Sequence, residues 1–220
     1  MGKEKIHVYF MPGMAANPSI FENISLPEES YEIHLLEWII PEKAESIQNY
    51  AKRMTARIKH PSPVLIGVSF GGILVQEMAK HIEVRKLIII SSVKSNKELP
   101  KRMIFAKYTK VHKLLPTGLV NNVELLAKYA FGETVTKRLS LYEKYLSVRN
   151  KYYIDWSIDQ IVNWKQSSPP ENIVHIHGEK DAVFPSVYID DYVGLKEGTH
   201  IMIINKYKWF NENLPKIILS

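Results

Sequence analysis

The sequence predicts an α/β fold, in which a mostly parallel sheet of about six strands is flanked by helices. Short runs of aliphatic and β-branched residues alternate with helical patterns along the chain. Several of these runs are apolar nearly throughout, as is typical of parallel strands that are buried on both faces. The predicted strands are Ile6–Phe10, Glu32–Leu36, Val64–Val68, Leu87–Ser91, Asn172–Ile176 and Tyr192–Leu195.

Helical patterns lie between these strands. One apolar stripe with spacings of three and four residues runs from Ala44 to Ile58, and this spacing is typical of an amphipathic helix. A second helix is predicted directly after Ser69. A third is predicted to begin after Thr199 and to end at about Leu214, because Pro215 follows and proline disrupts a helix interior.

The alternation breaks between Lys94 and Pro169. Residues 97–164 have helical composition and no clear strand pattern, so we expect a helical cap inserted into a single domain that spans residues 1–220. The apolar residues of such helices must be buried against another part of the protein, and the rim above Ser69 is the available surface. We therefore expect the cap to form a lid over Ser69. An isolated charge facing an apolar pocket is costly. The basic side chains that should therefore point outward are Lys101, Arg102, Lys107, Lys110 and Lys113.

Composition is that of an ordinary globular protein. The chain has 220 residues, of which 45% are hydrophobic, and this is enough to bury one core. Cysteine is absent, which excludes disulfides, thiolate metal sites and a cysteine nucleophile. No apolar run approaches the roughly 18 residues of a membrane-spanning helix, and no signal-peptide core is present near Met1. We therefore expect a cytoplasmic protein without an integral membrane segment.

The positive charge is concentrated in one stretch. The net charge is +6, and residues 94–113 contain seven Lys or Arg but one carboxylate, Glu98. Such a stretch can bind a membrane or an anionic partner, or it can be a solvated helix face. We interpret it as a solvated face and expect no nucleic-acid partner, while the oligomeric state stays open.

Residues Gly67–Gly71, with the letters GVSFG, match the pattern G-x-S-x-G. The pattern follows an apolar strand and opens an amphipathic helix, which is the setting of a nucleophile elbow. A serine on this tight turn projects its Oγ above the sheet. Glycine is needed on either side, because a Cβ at Gly67 or Gly71 would collide with the neighbouring strand or helix. Ser69 is therefore the candidate nucleophile.

A nucleophilic serine needs a base and an acid to orient that base. His200 lies in a loop between the last predicted strand and the final helix, and Asp181 lies just past the fifth strand. Both follow the carboxyl ends of strands, where open α/β sheets gather their active sites. His200 is therefore the candidate base and Asp181 the candidate acid. An alternative position for the acid, residues 91–93, has no carboxylate, and Asp190 and Asp191 read as solvated turn residues.

His175 and His177 share one face of the fifth strand and could pass for a pair of metal ligands. A metal site needs more donors than two, and no third ligand is apparent beside them. We therefore predict no metal at this pair.

The order Ser69, Asp181, His200 along the chain is that of the triad in the α/β-hydrolase superfamily. The sequence resembles this superfamily over nearly its whole length, through the elbow, the helical insertion, the turn at 177–181 and the loop at 198–200. It lacks the leading antiparallel strands that are common in larger members. The resemblance implies the α/β-hydrolase fold in a compact form. Together with the rule that parallel crossovers are right-handed, it implies the strand order 2-1-3-4-5-6.

The same resemblance implies an oxyanion hole made of two backbone N–H groups, those of Met14 and Phe70. Phe70 follows the nucleophile, and Met14 lies in the loop that leaves the first strand. Relatives often carry His-Gly where this chain has Pro12-Gly13. Gly13 preserves the tight turn, but the loop must be braced differently.

These features predict a serine hydrolase that cleaves a small-molecule ester or thioester through an acyl-enzyme on Ser69. No metal or organic cofactor is implied. Two alternatives stay open, because one fold supports many functions: a lyase or other non-hydrolytic enzyme that uses the triad as a base, and a non-catalytic protein that binds a partner through the basic cap. Aromatic residues of the insertion that could line an apolar pocket are Phe105, Tyr108, Tyr129, Phe131, Tyr142, Tyr145, Tyr152, Tyr153, Trp156 and Trp164.

Overall fold

A computed structural model describes residues 4–110 and 144–220 of the chain. All six predicted strands are present, with their ends displaced by two residues at most. The strands are β1 (Ile6–Met11), β2 (Tyr31–Leu35), β3 (Val64–Val68), β4 (Lys86–Ile90), β5 (Ile173–Gly178) and β6 (Val193–Leu195).

The strands form one parallel sheet in the order β2-β1-β3-β4-β5-β6. This is the order that the resemblance predicts, together with the rule that parallel crossovers are right-handed. The chain moves outward in one direction from β1 to β2 and in the other direction from β3 onward. Loops therefore diverge between the carboxyl ends of β1 and β3, which is where open α/β sheets bind ligands.

Helices lie between the strands. α2 is buried along its whole length, and α1 begins at Ile47 because the Ser46 side chain accepts a hydrogen bond from the Asn49 N–H and caps it. The helices of the described residues are α1 (Ile47–Thr55), α2 (Phe70–Met78), α3 (Lys101–Thr109), α4 (Lys151–Val162), α5 (Met202–Asn205) and α6 (Tyr207–Leu219). No helix of residues 4–110 and 144–220 has the length and apolar character that crossing a membrane requires.

The prediction that Pro215 ends the last helix is wrong, because Pro215 lies inside α6. A proline inside a helix costs about 3 kcal/mol or more. The final turn nevertheless buries Ile218, as the preceding turn buries Leu214, and one such side chain contributes about 1.5–3 kcal/mol. The Pro215 carbonyl also accepts a hydrogen bond from the Tyr31 hydroxyl. These tertiary contacts thus offset much of the local cost.

The insertion predicted at 97–164 is helical in its described parts, which contain α3 and α4. Residues 111–143, including Lys113, lie outside the described residues, and the extent of the cap stays a prediction. Lys101, Arg102 and Lys110 are exposed, as expected of a solvated face, and Lys107 is half-buried.

Lys94 departs from this pattern because it is buried. Its ammonium donates hydrogen bonds to the carbonyls of Asp190 and Asp191, and it lies 3.7 Å from the Glu98 carboxylate. A buried cation needs such partners. Lys94 therefore joins the segment after β4 to the segment that precedes β6.

Candidate active site

Ser69 occupies the turn between β3 and α2 in a strained backbone conformation. Its φ of 55° and ψ of −121° lie in a region that residues with a side chain rarely adopt, and such strain costs of order 1–3 kcal/mol. Two hydrogen bonds fix the turn: the Ser69 N–H donates to the Ile90 carbonyl at 2.9 Å, and the Ser92 hydroxyl donates to the Ser69 carbonyl at 2.7 Å. The turn is therefore tied to β4 and to the residues that follow it.

The glycines on either side of Ser69 allow two close backbone contacts. A Cβ on Gly67 would lie 2.3 Å from the carbonyl oxygen of Gly71, and a Cβ on Gly71 would lie 2.3 Å from that of Pro12. Neither backbone can move aside without displacing α2 or the end of β1. Both positions therefore require glycine for the steric reason that the motif suggests.

His200 lies beside Ser69, with its Nε2 atom 2.9 Å from the Ser69 Oγ. The Nδ1 atom on the other side of the ring lies 2.8 Å from Oδ2 of Asp181. The loops that hold the two residues are in close contact, because a Cβ on Gly178 would lie 2.4 Å from the Gly198 carbonyl oxygen. The structure thus places the three side chains in one hydrogen-bonded chain, although they are far apart in sequence.

Asp181 is fixed by backbone donors. Its Oδ1 atom accepts hydrogen bonds from the N–H groups of Val183 and Phe184 at 2.8 and 2.9 Å, which leaves Oδ2 for His200. Burial by itself raises the pKa of this carboxyl. The charge and hydrogen bond of His200, with smaller contributions from the Phe184 N–H and His177, outweigh burial and hold the pKa below its ordinary value. Asp181 is therefore ionised at neutral pH.

An ionised Asp181 determines the tautomer of His200. A carboxylate only accepts hydrogen bonds, so the Nδ1 atom of a neutral His200 must carry the proton. Its Nε2 atom is then an acceptor, and Ser69 donates its hydroxyl proton to it. The arrangement can move a proton from Ser69 to His200 along an existing hydrogen bond.

The two predicted oxyanion donors lie on either side of Ser69. Phe70 is the first residue of α2, so its N–H belongs to the first turn, where N–H groups have no partner within the helix. Met14 borders the same pocket as Ser69, and Gly13 lies so close that a Cβ on it would be 3.3 Å from the Ser69 Cβ. Both segments are adjacent to the serine.

Trp38 braces both segments, and the sequence analysis missed it. Its indole N–H donates to the Gly13 carbonyl at 2.8 Å, and its ring stacks on Phe70 with centroids 5.0 Å apart and planes 7° apart. This brace supports the loop that carries Pro12-Gly13 instead of His-Gly. A buried indole requires a partner for its N–H, but a partner 25 residues away cannot be read from the sequence.

The loop after β1 is also bound to residues 144–148. The Asn17 N–H donates to the Tyr145 carbonyl at 2.9 Å, and the Val148 N–H donates to the Ala15 carbonyl at 3.0 Å. The Asn17 side chain adds bonds to the Lys144 carbonyl and the Ser147 hydroxyl. This segment therefore forms part of the wall beside Ser69.

An apolar pocket opens over Ser69 and His200. Its walls come from the loop after β1, from α3 and α4, and from the segments around Phe184 and Ile203, and they carry no charged side chain in the described residues. The aliphatic and thioether side chains that border it are Met14, Ile20, Val68, Met103, Leu146, Ile158, Ile161, Val162, Val183, Ile201, Ile203 and Ile204.

The aromatic residues of the insertion could line this pocket or pack the insertion onto the body of the protein, and most of the described ones do not line the pocket. Tyr145 borders the pocket. Phe105, Tyr108 and Tyr152 are exposed. The other rings, Tyr153, Trp156 and Trp164, are buried in the core, where the two indoles donate to the Glu45 carbonyl and to Glu77 Oε1. Tyr129, Phe131 and Tyr142 lie outside the described residues.

Three other carboxylates lie near Asp181 in the sequence, and all three, Glu179, Asp190 and Asp191, are exposed. The predicted absence of a metal at His175 and His177 stays a prediction. These rings bond to each other at 3.1 Å, and His177 donates to the Phe184 carbonyl at 2.8 Å. Burial lowers the pKa of both imidazoles. The pair thus anchors the loop that presents Asp181.

Comparison with known proteins gives structural matches alone. No protein-family model matches the sequence, and no curated protein matches it. A bromoperoxidase from Bacillus anthracis superposes with a TM-score of 0.73 at 15% identity, over 99% of this chain and 93% of that one. An esterase from Exiguobacterium antarcticum superposes with a TM-score of 0.66 at 19% identity, over 100% of this chain and 94% of that one. A thermophilic esterase from Thermogutta terrifontis superposes with a TM-score of 0.61 at 12% identity, over 96% of this chain and 90% of that one.

These matches cover nearly the whole length of both chains, with TM-scores between 0.61 and 0.73. The chain therefore has the α/β-hydrolase fold, as the sequence resemblance implies. The superpositions establish the fold. Because the sequence identities are below 20%, the function must be argued from the site itself.

The brace at Trp38 can be tested by Trp38→Phe. Phenylalanine keeps a ring against Phe70 but leaves the Gly13 carbonyl without its indole donor. A buried polar group that loses its partner costs about 1–3 kcal/mol, and we expect the free energy of unfolding in urea to fall by that amount. Trp209→Phe on α6 is the control, since that ring packs on Phe210 away from the loop. Equal effects of the two substitutions would contradict the assigned brace.

Proposed function

We propose that this protein is a serine hydrolase that cleaves a small-molecule ester or thioester through an acyl-enzyme on Ser69. One observation carries the proposal: the Ser69 Oγ, the His200 imidazole and the Asp181 carboxylate are joined by contacts of 2.9 and 2.8 Å at the opening of an apolar pocket. A nucleophile bonded to a base, with that base oriented by an acid, is the arrangement that nucleophilic catalysis requires.

The first half of the reaction acylates Ser69. His200 Nε2 takes the hydroxyl proton while Oγ attacks the substrate carbonyl carbon, and Asp181 stabilises the imidazolium that forms. The N–H groups of Met14 and Phe70 are proposed to stabilise the oxyanion, where one donor typically contributes about 2.7–4 kcal/mol. The intermediate collapses when the imidazolium gives its proton to the departing alkoxide or thiolate.

The second half releases the acid. His200 takes a proton from a water molecule, whose oxygen attacks the acyl carbonyl carbon. The new intermediate collapses as the Ser69 oxygen leaves and recovers its proton from His200. The products are a carboxylic acid and an alcohol or thiol, and the enzyme returns to its starting state. No step requires a cofactor.

The pocket lining supports an aliphatic acyl group as the part of the substrate that is bound. Burying a CH₂ group against aliphatic side chains contributes about 0.8 kcal/mol. A charged acyl group would have no partner among the described residues that line the pocket, and burying it there would be costly. We therefore propose uncharged acyl chains, and we further propose that residues 97–164 act as the lid that selects them.

Labelling with a fluorophosphonate probe tests the proposed nucleophile. The wild-type protein should be labelled, whereas Ser69→Ala should lose labelling and should cleave esters about 10⁴- to 10⁶-fold more slowly. Ser25→Ala, at an exposed position, is the control and should behave as wild type. Unchanged ester cleavage in Ser69→Ala would overturn the assignment. Turnover of a substrate without any labelling would favour the lyase alternative, and the absence of both would favour a binding protein.

Asp181→Asn tests the acid. The amide would favour the wrong imidazole tautomer in His200, so kcat should fall by about 10⁴-fold while the fold is kept. Asp190→Asn removes an exposed carboxylate and should leave kcat unchanged, as should Glu179→Gln. Kinetics with a p-nitrophenyl ester measure all three variants. A crippled Glu179→Gln beside a nearly normal Asp181→Asn would show that the acid is misassigned.

Ile161→Phe tests the pocket. The larger side chain shortens the cavity over Ser69, so kcat/KM for long acyl chains should fall relative to that for acetyl. Each methylene that no longer fits is worth about 1–3 kcal/mol. The same substitution at Ile217, on α6 and away from the pocket, is the control. A panel of p-nitrophenyl esters and thioesters gives the acyl-length profile, and identical profiles for both variants would contradict the pocket assignment.

A further inference from the structure

Three imidazoles converge near the amino-terminal end of β1, at the edge of the sheet where β2 is the outermost strand. His7 belongs to β1, His34 to β2, and His60 to the loop that leads into β3. One donor nitrogen from each ring lies within 4.8 Å of those of the other two. Within residues 4–110 and 144–220 this is the one group of three such side chains gathered so closely. All three are half-buried, so an ion can reach them from solvent.

The sheet register fixes three of the donors on one face. His7 is paired with Glu32 and Tyr9 with His34 across the parallel strands β1 and β2. Side chains two residues apart on a strand point to the same face, so His7, Glu32 and His34 project together from a rigid platform. Glu32 adds a carboxylate to the imidazoles.

The distances among these donors are close to those of a metal site. His7 Nδ1 lies 3.0 Å from His34 Nε2, and each of these nitrogens lies 3.7 Å from a Glu32 oxygen. A tetrahedral zinc ion with ligands at about 2.0–2.1 Å separates neighbouring donors by about 3.3–3.4 Å. Each spacing therefore needs to change by a few tenths of an ångström.

His60 supplies a fourth donor from a loop. Its ring stacks on His7 with centroids 3.4 Å apart, and its Nδ1 atom lies 2.7 Å from the Tyr9 hydroxyl. Metal-binding histidines commonly use their second ring nitrogen for such a hydrogen bond, which orients the ring. The hydroxyl is fixed in turn, because it accepts a hydrogen bond from the Lys59 N–H. Two stacked rings cannot both direct a nitrogen at one ion, so the His60 ring must turn out of the stack to bind it, and its position in a loop allows this.

The chemistry of the four donors indicates which ion they would hold. Neutral imidazole is the ligand form, and a bound ion takes the place of the proton that His7 and His34 share. Three nitrogens and one carboxylate suit late first-row ions better than Mg²⁺ or Ca²⁺.

We propose a binding site for Zn²⁺ whose ligands are His7, Glu32, His34 and His60. The ion would join β1, β2 and the loop before β3, at the opposite end of the strands from Ser69. The site is structural, and it does not depend on the proposed hydrolase activity.

Calorimetric titration with ZnCl₂ tests the site, on tag-free protein that has been treated with a chelator. The wild type should bind one ion per chain, and its thermal midpoint should rise as Zn²⁺ is added, because an ion that binds the folded state stabilises it. His34→Ala and His60→Ala should each weaken binding by more than about tenfold. His81→Ala removes an exposed histidine elsewhere and should bind as the wild type does.

Glu32→Gln separates loss of the metal site from loss of the fold. This side chain is half exposed, so its replacement should leave the sheet intact. It should weaken Zn²⁺ binding by about tenfold or more while the circular dichroism spectrum stays unchanged. Titration with Co²⁺ provides a spectroscopic signature, since tetrahedral coordination gives strong visible absorption that the same variants should lose. The site would be disproved if the wild type bound no stoichiometric Zn²⁺, if His60→Ala and Glu32→Gln bound it as tightly as the wild type, or if His81→Ala lost it.

Discussion

The candidate site depends on a close contact between backbones. α2 crosses β3 and the end of β1 so tightly that Gly67 and Gly71 have no room for a Cβ. This contact allows the chain to hold Ser69 in a conformation that is unfavourable by itself. The free energy that offsets this strain comes from the surrounding core, because β3 and α2 are buried along their entire lengths. A fully buried part of the molecule thus supports a strained residue.

The topology of the sheet brings the remaining groups to the same place. The chain leaves β1 and β3 in opposite directions, and Gly13 in the loop after β1 lies close to Ser69 in the turn after β3. His200 and Asp181 arrive from β6 and β5, and the contact between Gly178 and Gly198 holds their loops together. Asp181 and His200 lie three and five residues beyond the strands that precede them, so the rigid sheet limits how far these side chains can move.

Local patterns predict much of this arrangement. The elbow at Gly67–Gly71 is encoded in consecutive residues, and the strands are encoded in apolar runs whose order follows from a general topological rule. Asp181 and His200 are predictable because the fold restricts where an acid and a base can lie along the chain. These features need no knowledge of which distant residues meet.

Features that depend on distant contacts are not predictable in this way. The brace from Trp38 to Gly13 and the burial of Lys94 both join residues that packing alone brings together. Pro215 is tolerated because the residues around it are buried, which a local rule does not consider. Trp156 and Trp164 pack the core rather than the pocket, because the pattern of an aromatic-rich helix does not reveal which side faces the substrate.

The bonds between the loop after β1 and residues 144–148 link the wall of the pocket to the loop beside Ser69. Asn17 and Ala15 hold this segment through backbone hydrogen bonds, and Leu146 from the same segment borders the pocket. A movement of Leu146 that widens the entrance must therefore break those bonds or shift the loop that carries Met14. The position of Leu146 in the pocket wall and the position of the loop beside Ser69 are thus mechanically coupled.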